Sequence, residues 1–236
     1  MPLRILCFNI HGGYDMKRKR DLRRVHQLMD VHDIDIGVFQ EMETRVSRGG
    51  ALSDIETLSG PDRPHYLPGL AMKEGEGWYG NLIVSRYPIL RGIVHDLEYK
   101  FSYEPRNAVD TLIETPMGKM RIIGTHLSLT PWERWDEAKA LIRLMNAVDE
   151  EEKNPLLLMG DFNEWKPQSR LIRHMNGLMK AQPCGPSFPS SWPILQLDRV
   201  WHDHLPHPIK AEVLMEKDTR WLSDHLPLKI TVGKSA

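Results

Sequence analysis

The polar residues that follow short apolar runs in this chain are of types that act together on phosphate esters. They are Asn9, Gln40, Glu41, His126, Asp161, Asn163, Asp198, Asp224 and His225. Each alone has a structural explanation, because Asn and Asp cap turns by bonding their own backbone. Together they combine oxygen ligands that suit Mg²⁺ or Mn²⁺ better than zinc with imidazoles that act as acid or base near neutral pH. The combination predicts metal-assisted hydrolysis of a phosphate ester.

These side chains can meet only if the apolar runs are strands whose ends lie together. The patterns predict strands over residues 3–10, 34–41, 82–84, 89–97, 108–113, 120–127, 155–159, 194–201, 209–215 and 226–232. They predict helices over 20–32, 51–59, 133–149 and 168–175, and they assign no other regular structure to 49–77, which is rich in Gly, Pro and charge. Many strands with few helices predict an α/β fold in which two sheets pack together and helices cover their outer faces.

The composition is that of an ordinary folded domain. The chain has 236 residues, of which 41% are hydrophobic and 27% charged, and its formal net charge is −1. This balance provides no long-range field toward nucleic acid or anionic membranes. Two cysteines make no disulfide framework, no apolar run approaches the ~20 residues of a transmembrane helix, and the N-terminus lacks a signal-peptide pattern. We therefore expect one cytoplasmic, monomeric domain over residues 1–236 that does not insert into a membrane.

An ordered series of short motifs makes the prediction more specific. The motifs are Phe8-Asn9, Gln40-Glu41, Gly124-Thr125-His126-Leu127, Gly160-Asp161-Phe162-Asn163, Leu197-Asp198 and Ser223-Asp224-His225. In this order they resemble the endonuclease/exonuclease/phosphatase superfamily, which has the deoxyribonuclease I-like fold, over nearly the whole chain. The resemblance implies a four-layer α/β/β/α sandwich of two mostly antiparallel sheets flanked by helices. It also implies a phosphoesterase, most simply a phosphodiesterase, that uses Mg²⁺ with Mn²⁺ as an alternative.

The resemblance further implies a role for each matching residue. Asn9, through its amide oxygen, and the carboxylates of Glu41 and Asp224 match the metal-binding positions. Asp161 matches the residue that aligns or deprotonates the water for in-line attack on phosphorus, and Asn163 matches the amide that donates to the phosphate.

The resemblance assigns the remaining positions to proton transfer and phosphate binding. His225 matches an acid/base imidazole, and Asp198 matches the carboxylate that holds it and raises its pKa. His126 matches a second catalytic histidine, with Asn81 expected beside it in place of the glutamate of deoxyribonuclease I. Since an amide does not raise a histidine pKa as a carboxylate does, this weakens a general-acid role for His126. Arg106 matches an arginine that clamps phosphate, and the alternative for it is a surface ion pair.

Alternatives remain open at this point. His202, His204 and His207 resemble a zinc cluster and would make the chain a zinc hydrolase, although two neighbouring prolines favour a plain loop. The chain would be a non-catalytic binding module if it had kept the fold and lost activity, although such loss normally erases residues such as Asp161. The substrate stays open between nucleic acid, a phospholipid head group and a small phosphate ester, because substrate choice depends on loops.

Overall fold

Two six-stranded β-sheets pack face to face, and helices cover both outer faces. A computed structural model of the protein describes residues 1–97, 104–148 and 153–233. The strands are β1 (Leu3–Asn9), β2 (Ile36–Glu43), β3 (His65–Glu74), β4 (Gly77–Ser85), β5 (Ile89–Asp96), β6 (Asn107–Thr115), β7 (Gly118–His126), β8 (Leu156–Asp161), β9 (Lys180–Gln182), β10 (Asp198–Asp203), β11 (Ile209–Val213) and β12 (Leu228–Val232). The helices are α1 (Leu22–Val31), α2 (Asp54–Ser59), α3 (Pro131–Val148) and α4 (Arg170–Leu178), with 3₁₀ turns at His11–Gly13, Val46–Arg48 and Thr219–Trp221.

Both sheets have a parallel pair of strands at their centre. The first sheet has the strand order β11-β12-β1-β2-β4-β3, and the second has the order β5-β6-β7-β8-β10-β9. The pairs β1–β2 and β7–β8 are parallel, and the other neighbouring pairs are antiparallel. Parallel pairing requires a crossover, which α1 provides in the first sheet and α3 in the second. The predicted fold class, two mostly antiparallel sheets in an α/β/β/α sandwich, is confirmed.

The apolar core lies in the three spaces between these four layers. One cluster joins the buried faces of α1 and α2 to the outer face of the first sheet, and includes Leu28 and Phe39. A second lies between the sheets, and includes Val38 and Ile122. A third joins α3 and α4 to the second sheet. Successive side chains of a strand point to opposite faces, so the nearly continuous burial of the central strands makes each sheet apolar on both faces, as a central layer requires.

Local signals account for where the helices begin. The Asp21 side chain caps α1 by accepting from Arg23 N, and the Ser169 side chain caps α4 by accepting from Ile172 N. Pro131 occupies the first position of α3, where its missing N–H costs no hydrogen bond. No helix among the described residues has both the length and the apolar character needed to cross a bilayer.

The structure differs from the sequence prediction near the sheet edges, where β3 and the short β9 were not predicted and β10 begins later than expected. β3 was not predicted, because Pro68 and Gly69 interrupt its apolar residues. Proline is tolerated there because β3 is an edge strand, and a Cβ on Gly69 would come within 2.3 Å of Val109 Cγ2 in the other sheet. The predicted strand 194–201 begins only at Asp198, because Ile194 N bonds back to Phe188 O in a folded loop.

Candidate active site

The carboxyl ends of the two central parallel pairs meet at one edge of the sandwich, and Asp161 lies where they meet. Asp161 is the last residue of β8, and its side chain is almost fully buried. Its Oδ2 atom accepts a hydrogen bond of 3.0 Å from Asn9 Nδ2, although 152 positions separate the two residues. The same oxygen lies 3.5 Å from His225 Nε2 and 3.6 Å from His126 Nε2. One carboxylate oxygen therefore contacts three other predicted site residues.

Unusual backbone geometry directs Glu41 and Asn163 into this space. The pairing of β2 is irregular between Phe39 and Met42, and Glu41 within this bulge has a left-handed φ of 59°. A bulge re-aims a side chain relative to the regular pleat. Asn163 has a φ of 49°, and its N–H donates to Asp161 Oδ1 at 2.9 Å in an Asx turn. Such conformations cost energy in non-glycine residues and are concentrated at functional sites.

His225 forms a buried pair with Asp198. His225 Nδ1 lies 2.8 Å from Asp198 Oδ2, which also accepts from Ser187 Oγ at 2.5 Å. The ring of Phe188 packs against the imidazole with 4.9 Å between ring centroids. Burial opposes protonation of His225, but the charges of Asp198 and Asp161 outweigh it and raise the pKa of His225 to about 10. His225 is therefore a cation at neutral pH, and its Nε2 faces Asp161.

His126 has the opposite electrostatic environment. Arg106 Nη1 lies 3.2 Å from its Nδ1, and Asn163 Nδ2 lies 3.1 Å from its Nε2. Since Arg106 can only donate, Nδ1 of a neutral His126 accepts its hydrogen bond, whereas a protonated imidazole has no acceptor to offer it. Burial, reinforced by the charge of Arg106, lowers the pKa of His126 to about 3. His126 is neutral at pH 7, and this environment disfavours its use as a general acid.

Arg106 makes the hydrogen-bonding contact to His126 Nδ1. Among the described residues no hydrogen bond joins His126 to Asn81, whose Nδ2 donates to Asn107 O at 3.0 Å and to Asn107 Oδ1 at 2.8 Å. Arg106 pairs with Glu104 Oε2 at 2.5 Å, but it is only 7% exposed and is not a surface residue. Its buried Nε has no hydrogen-bond partner and is available to a phosphate oxygen.

Glu41 and Asp224 form the part of the site with the most uncompensated negative charge. Asn9 Nδ2 donates to Glu41 Oε1 at 2.9 Å, and His11 Nδ1 lies 3.7 Å from Glu41 Oε2 and 3.6 Å from Asp224 Oδ1. Burial raises the pKa of Glu41, and the charges of Asp161 and Asp224 add to that effect. Carboxylates crowded in this way fit a divalent cation, which would offset their repulsion. Glu41 and Asp224 are therefore the candidate metal ligands.

The orientation of Asn9 differs from the one that the sequence suggested. The amide oxygen of Asn9 accepts a hydrogen bond of 3.1 Å from the N–H of His11. The amide nitrogen therefore faces Glu41 and Asp161, and in this arrangement Asn9 positions the two carboxylates through its N–H groups.

A second group of side chains also offers ligand atoms for a cation. One ligand atom each from Asp161, Asp198 and His225 lies within 4.8 Å of the others. Asp198 and His225 already share a short hydrogen bond, however, and Mg²⁺ prefers an all-oxygen set. This group is therefore better suited to hold a proton than to bind Mg²⁺.

Sequence reasoning missed three residues that border the site. His11 follows Asn9 by two positions at the same strand end, which was a usable signal. Ser187 lies in a Pro/Ser loop and offered none. Tyr79 is half-buried on β4, where burial and the charge of Glu41 raise its pKa. Only the folded chain brings Tyr79 to the site.

The histidines of the zinc alternative do not converge. Within the described residues, His202, His204 and His207 form no group of three ligand atoms close enough to hold one ion. His202 lies on β10, and His204 Nε2 pairs with Asp203 Oδ2 at 3.3 Å. The zinc hydrolase therefore has no geometric support.

The chain is similar to endonuclease/exonuclease/phosphatase proteins in both sequence and fold. The sequence profile of the Endonuclease/Exonuclease/phosphatase family matches residues 6–225. The uncharacterized protein YbhP of Escherichia coli (strain K12) is 26% identical over 250 residues, covering 97% of this chain and 95% of that protein. An endonuclease/exonuclease/phosphatase from Beutenbergia cavernae DSM 12333 has a TM-score of 0.78 at 20% identity, covering 100% of this chain and 72% of that one. A mannosyl-6-phosphatase of Bacteroides thetaiotaomicron VPI-5482 has a TM-score of 0.78 at 16% identity, and the match covers 98% of this chain and 100% of that one.

Proposed function

The chain belongs to the endonuclease/exonuclease/phosphatase family, whose members are phosphoesterases, and we propose that it is a Mg²⁺-dependent hydrolase of phosphate esters, chiefly phosphodiesters. Residues 1–236 act as one catalytic domain in this proposal. The observation that carries it is the set of contacts at Asp161 Oδ2, where Asn9 lies at 3.0 Å, His225 at 3.5 Å and His126 at 3.6 Å. A buried carboxylate surrounded by hydrogen-bonding groups is suited to accept a proton from one oriented water.

In the proposed reaction the attacking water gives its proton to Asp161 as its oxygen bonds to phosphorus, and the ester P–O bond on the opposite side breaks to release an alcohol that takes its proton from solvent. Asn9 Nδ2 and the Asn163 N–H hold the two oxygens of this carboxylate in a single orientation. Holding the base in place before reaction lowers the entropic cost of reaching the transition state.

The phosphoryl oxygens are bound by donors that surround the same space. His225 is a cation at neutral pH and donates from Nε2, while Asp198 fixes the orientation of its ring through Nδ1. Asn163, whose amide nitrogen also donates to Leu127 O at 2.8 Å, and the free Nε of Arg106 supply further N–H groups, and neutral His126 orients Arg106 by accepting at Nδ1. Fixed donors of this kind stabilise the charge that develops on the non-bridging oxygens, and each typically contributes ~10²–10³ in rate.

The candidate metal ligands are Glu41 and Asp224, with Asn9 between Glu41 and Asp161. When bound there, Mg²⁺ or Mn²⁺ would supply Lewis-acid stabilisation of the phosphate and lower the pKa of water. Glu41 and Asp224 would bind the ion, and His11, which approaches both carboxylates, would help to fix their separation.

The proposal is tested by assaying the purified chain on bis-p-nitrophenyl phosphate, a diester, and p-nitrophenyl phosphate, a monoester. The protein is first stripped with a chelator and then given Mg²⁺, Mn²⁺ or Zn²⁺. We expect Mg²⁺ and Mn²⁺ to restore hydrolysis, with the diester preferred. Asp161→Asn should lower kcat by at least ~10²-fold, whereas the matched control Asp136→Asn, on a partly exposed carboxylate of α3 paired with Lys139, should retain activity.

Each other result identifies a different function. Absence of hydrolysis with Mg²⁺ and Mn²⁺ would reject the proposal in favour of a non-catalytic binding module. Restoration by Zn²⁺ alone would favour the zinc hydrolase. Full activity in Asp161→Asn would show that the residue is not the base, or that the measured hydrolysis comes from a contaminant.

A further inference from the structure

Two adjoining cavities lead away from Glu41 along the protein surface. The first has a volume of about 520 Å³ and has Glu41 in its wall, and the second has a volume of about 560 Å³ and has Arg45 in its wall. Glu43, Arg48 and Tyr79 line both cavities, so the two form one groove, which we name the Tyr79 groove. A substrate whose reacting phosphate lies beside Glu41 has room to continue along it.

The charges of the Tyr79 groove leave one cation without a partner. Glu43 is bound on both oxygens by Arg45, whose Nε and Nη2 donate at 2.9 and 2.7 Å. Glu104, which borders the far cavity, is bound by Arg106. Arg48 is exposed, and its guanidinium forms no ion pair or hydrogen bond with any residue of 1–97, 104–148 or 153–233. A guanidinium with free donors matches the geometry of a phosphate group.

The turn that carries Arg48 is built around an aromatic side chain. Tyr14 lines the near cavity, and its hydroxyl donates to Arg48 O at 2.8 Å. Gly49 closes the turn with a φ of 80°, and a Cβ there would lie 2.7 Å from Tyr14 Oη. Only glycine therefore allows Tyr14 to approach this closely, and the contact fixes the backbone from which Arg48 extends.

The wall of the groove also provides a flat ring. Tyr79 is half-buried, and the Arg45 guanidinium lies 5.3 Å from the centre of its ring. Packing against Arg45 restricts the motion of this side chain. A restrained aromatic ring beside a free arginine suits a ligand that has a planar base next to a phosphate, because bases stack on such rings.

We propose that the Tyr79 groove binds the part of the substrate beyond the reacting phosphate, and that Arg48 selects esters that carry a second phosphate group. The inference rests on the proposed hydrolase function and deepens it by naming the substrate class. The two tyrosines favour a nucleotide chain over a phosphorylated polyol as the source of the second phosphate.

The test compares substrates that differ only in the second phosphate. Dithymidylate with and without a 5′-phosphate forms one pair, and inositol 1,4-bisphosphate with inositol 1-phosphate forms the other. For the wild type, Arg48→Gln and the control Arg143→Gln, kcat and KM are measured on each. Arg143 is an exposed arginine of α3 that borders none of the described cavities near the site. We expect the wild type to prefer the doubly phosphorylated substrate by about tenfold in kcat/KM, the effect of one charge-assisted hydrogen bond at an exposed site.

The variants give opposite expectations. Arg48→Gln should abolish the preference, mainly through KM, because the second phosphate is bound equally in the ground and transition states. Arg143→Gln should keep it. A preference in the dinucleotide pair identifies a nucleotide chain as the ligand, and one in the inositol pair identifies a phosphorylated polyol. A wild type without preference, or an Arg48→Gln variant with the wild-type preference, would overturn the inference.

A binding measurement separates this inference from the proposed function. The 5′-phosphorylated dinucleotide is titrated calorimetrically into the Asp161→Asn protein with Mg²⁺, with and without Arg48→Gln. We expect Arg48→Gln to weaken binding about tenfold. If the wild type hydrolyses no ester but Arg48→Gln weakens binding, the hydrolase proposal is wrong and the inference about phosphate binding in the Tyr79 groove is kept. If esters are hydrolysed but Arg48→Gln does not weaken binding, only the inference about the Tyr79 groove is wrong.

Discussion

Replacement of Asp198 by Asn tests the pair that is expected to keep His225 protonated. Asp198 is fully buried, and its Oδ2 lies 2.8 Å from His225 Nδ1 and 2.5 Å from Ser187 Oγ. An amide has the same shape as the carboxylate and can still bond both neighbours, so the change removes a charge and leaves the packing in place. Asp203→Asn, on the exposed end of the same strand, is the matched control.

The magnitude follows from the environment of His225. Burial alone would lower its pKa, and the negative charges of Asp198 and Asp161 raise it from 6.5 to about 10. A pKa raised in the folded state adds stability that is complete below about pH 6.5 and is lost as the pH rises through about 10. At ~1.36 kcal/mol per pH unit the shift corresponds to about 4–5 kcal/mol. Without the charge of Asp198, the burial effect remains, and we expect the pKa to fall by about 2 units or more.

The expected result has a spectroscopic and a kinetic part. In the metal-free protein, NMR titration of the His225 ring should show the lowered pKa in Asp198→Asn and no change in Asp203→Asn. With Mg²⁺ and bis-p-nitrophenyl phosphate, kcat/KM at mildly alkaline pH should fall by about 10²–10³-fold, and the loss should shrink toward acid pH as His225 is protonated again. A folded Asp198→Asn protein with the wild-type His225 titration and pH profile would refute the reasoning.

Three further predictions concern other groups. Burial lowers the pKa of His126 to about 3, so the unfolding free energy of the wild type should fall by about 2 kcal/mol between neutral pH and pH 5. His126→Gln should not show this decrease in urea unfolding, and an equal decrease in both proteins would contradict a buried neutral imidazole. Glu41→Gln should raise the Mg²⁺ concentration for half-maximal hydrolysis at least about tenfold, since even residues that only hydrogen-bond to metal ligands change metal affinity by ~10–100-fold. An unchanged Mg²⁺ concentration for half-maximal hydrolysis would place the ion elsewhere. Asp110→Ala leaves the fully buried Arg121 without this carboxylate and should cost about 3–5 kcal/mol of unfolding free energy, whereas Glu212→Gln on the surface should cost less than about 1 kcal/mol.

The sequence by itself determined the fold class and the kind of chemistry. Central strands such as β1 and β8 were predicted within two residues, because a buried strand is a continuous apolar run and its end is marked by a polar residue. Asp161 and Glu41 could be found for the same reason. β3 could not be predicted, because an edge strand exposed to solvent tolerates Pro68 and Gly69 and so lacks the apolar run.

Only the tertiary structure decided which strand ends meet and whether the histidines at those ends are charged. Asn9 and Asp161 are 152 positions apart, and the packing of one sheet on the other is what joins them. The resemblance predicts a carboxylate beside His225 and none beside His126, but the burial of both rings and the contact of His126 with Arg106 appear only in the folded chain, where the pKa of His225 is about 10 and that of His126 about 3. Periodicity in a sequence reports local geometry, whereas burial and charge at a site are sums over neighbours that are distant along the chain.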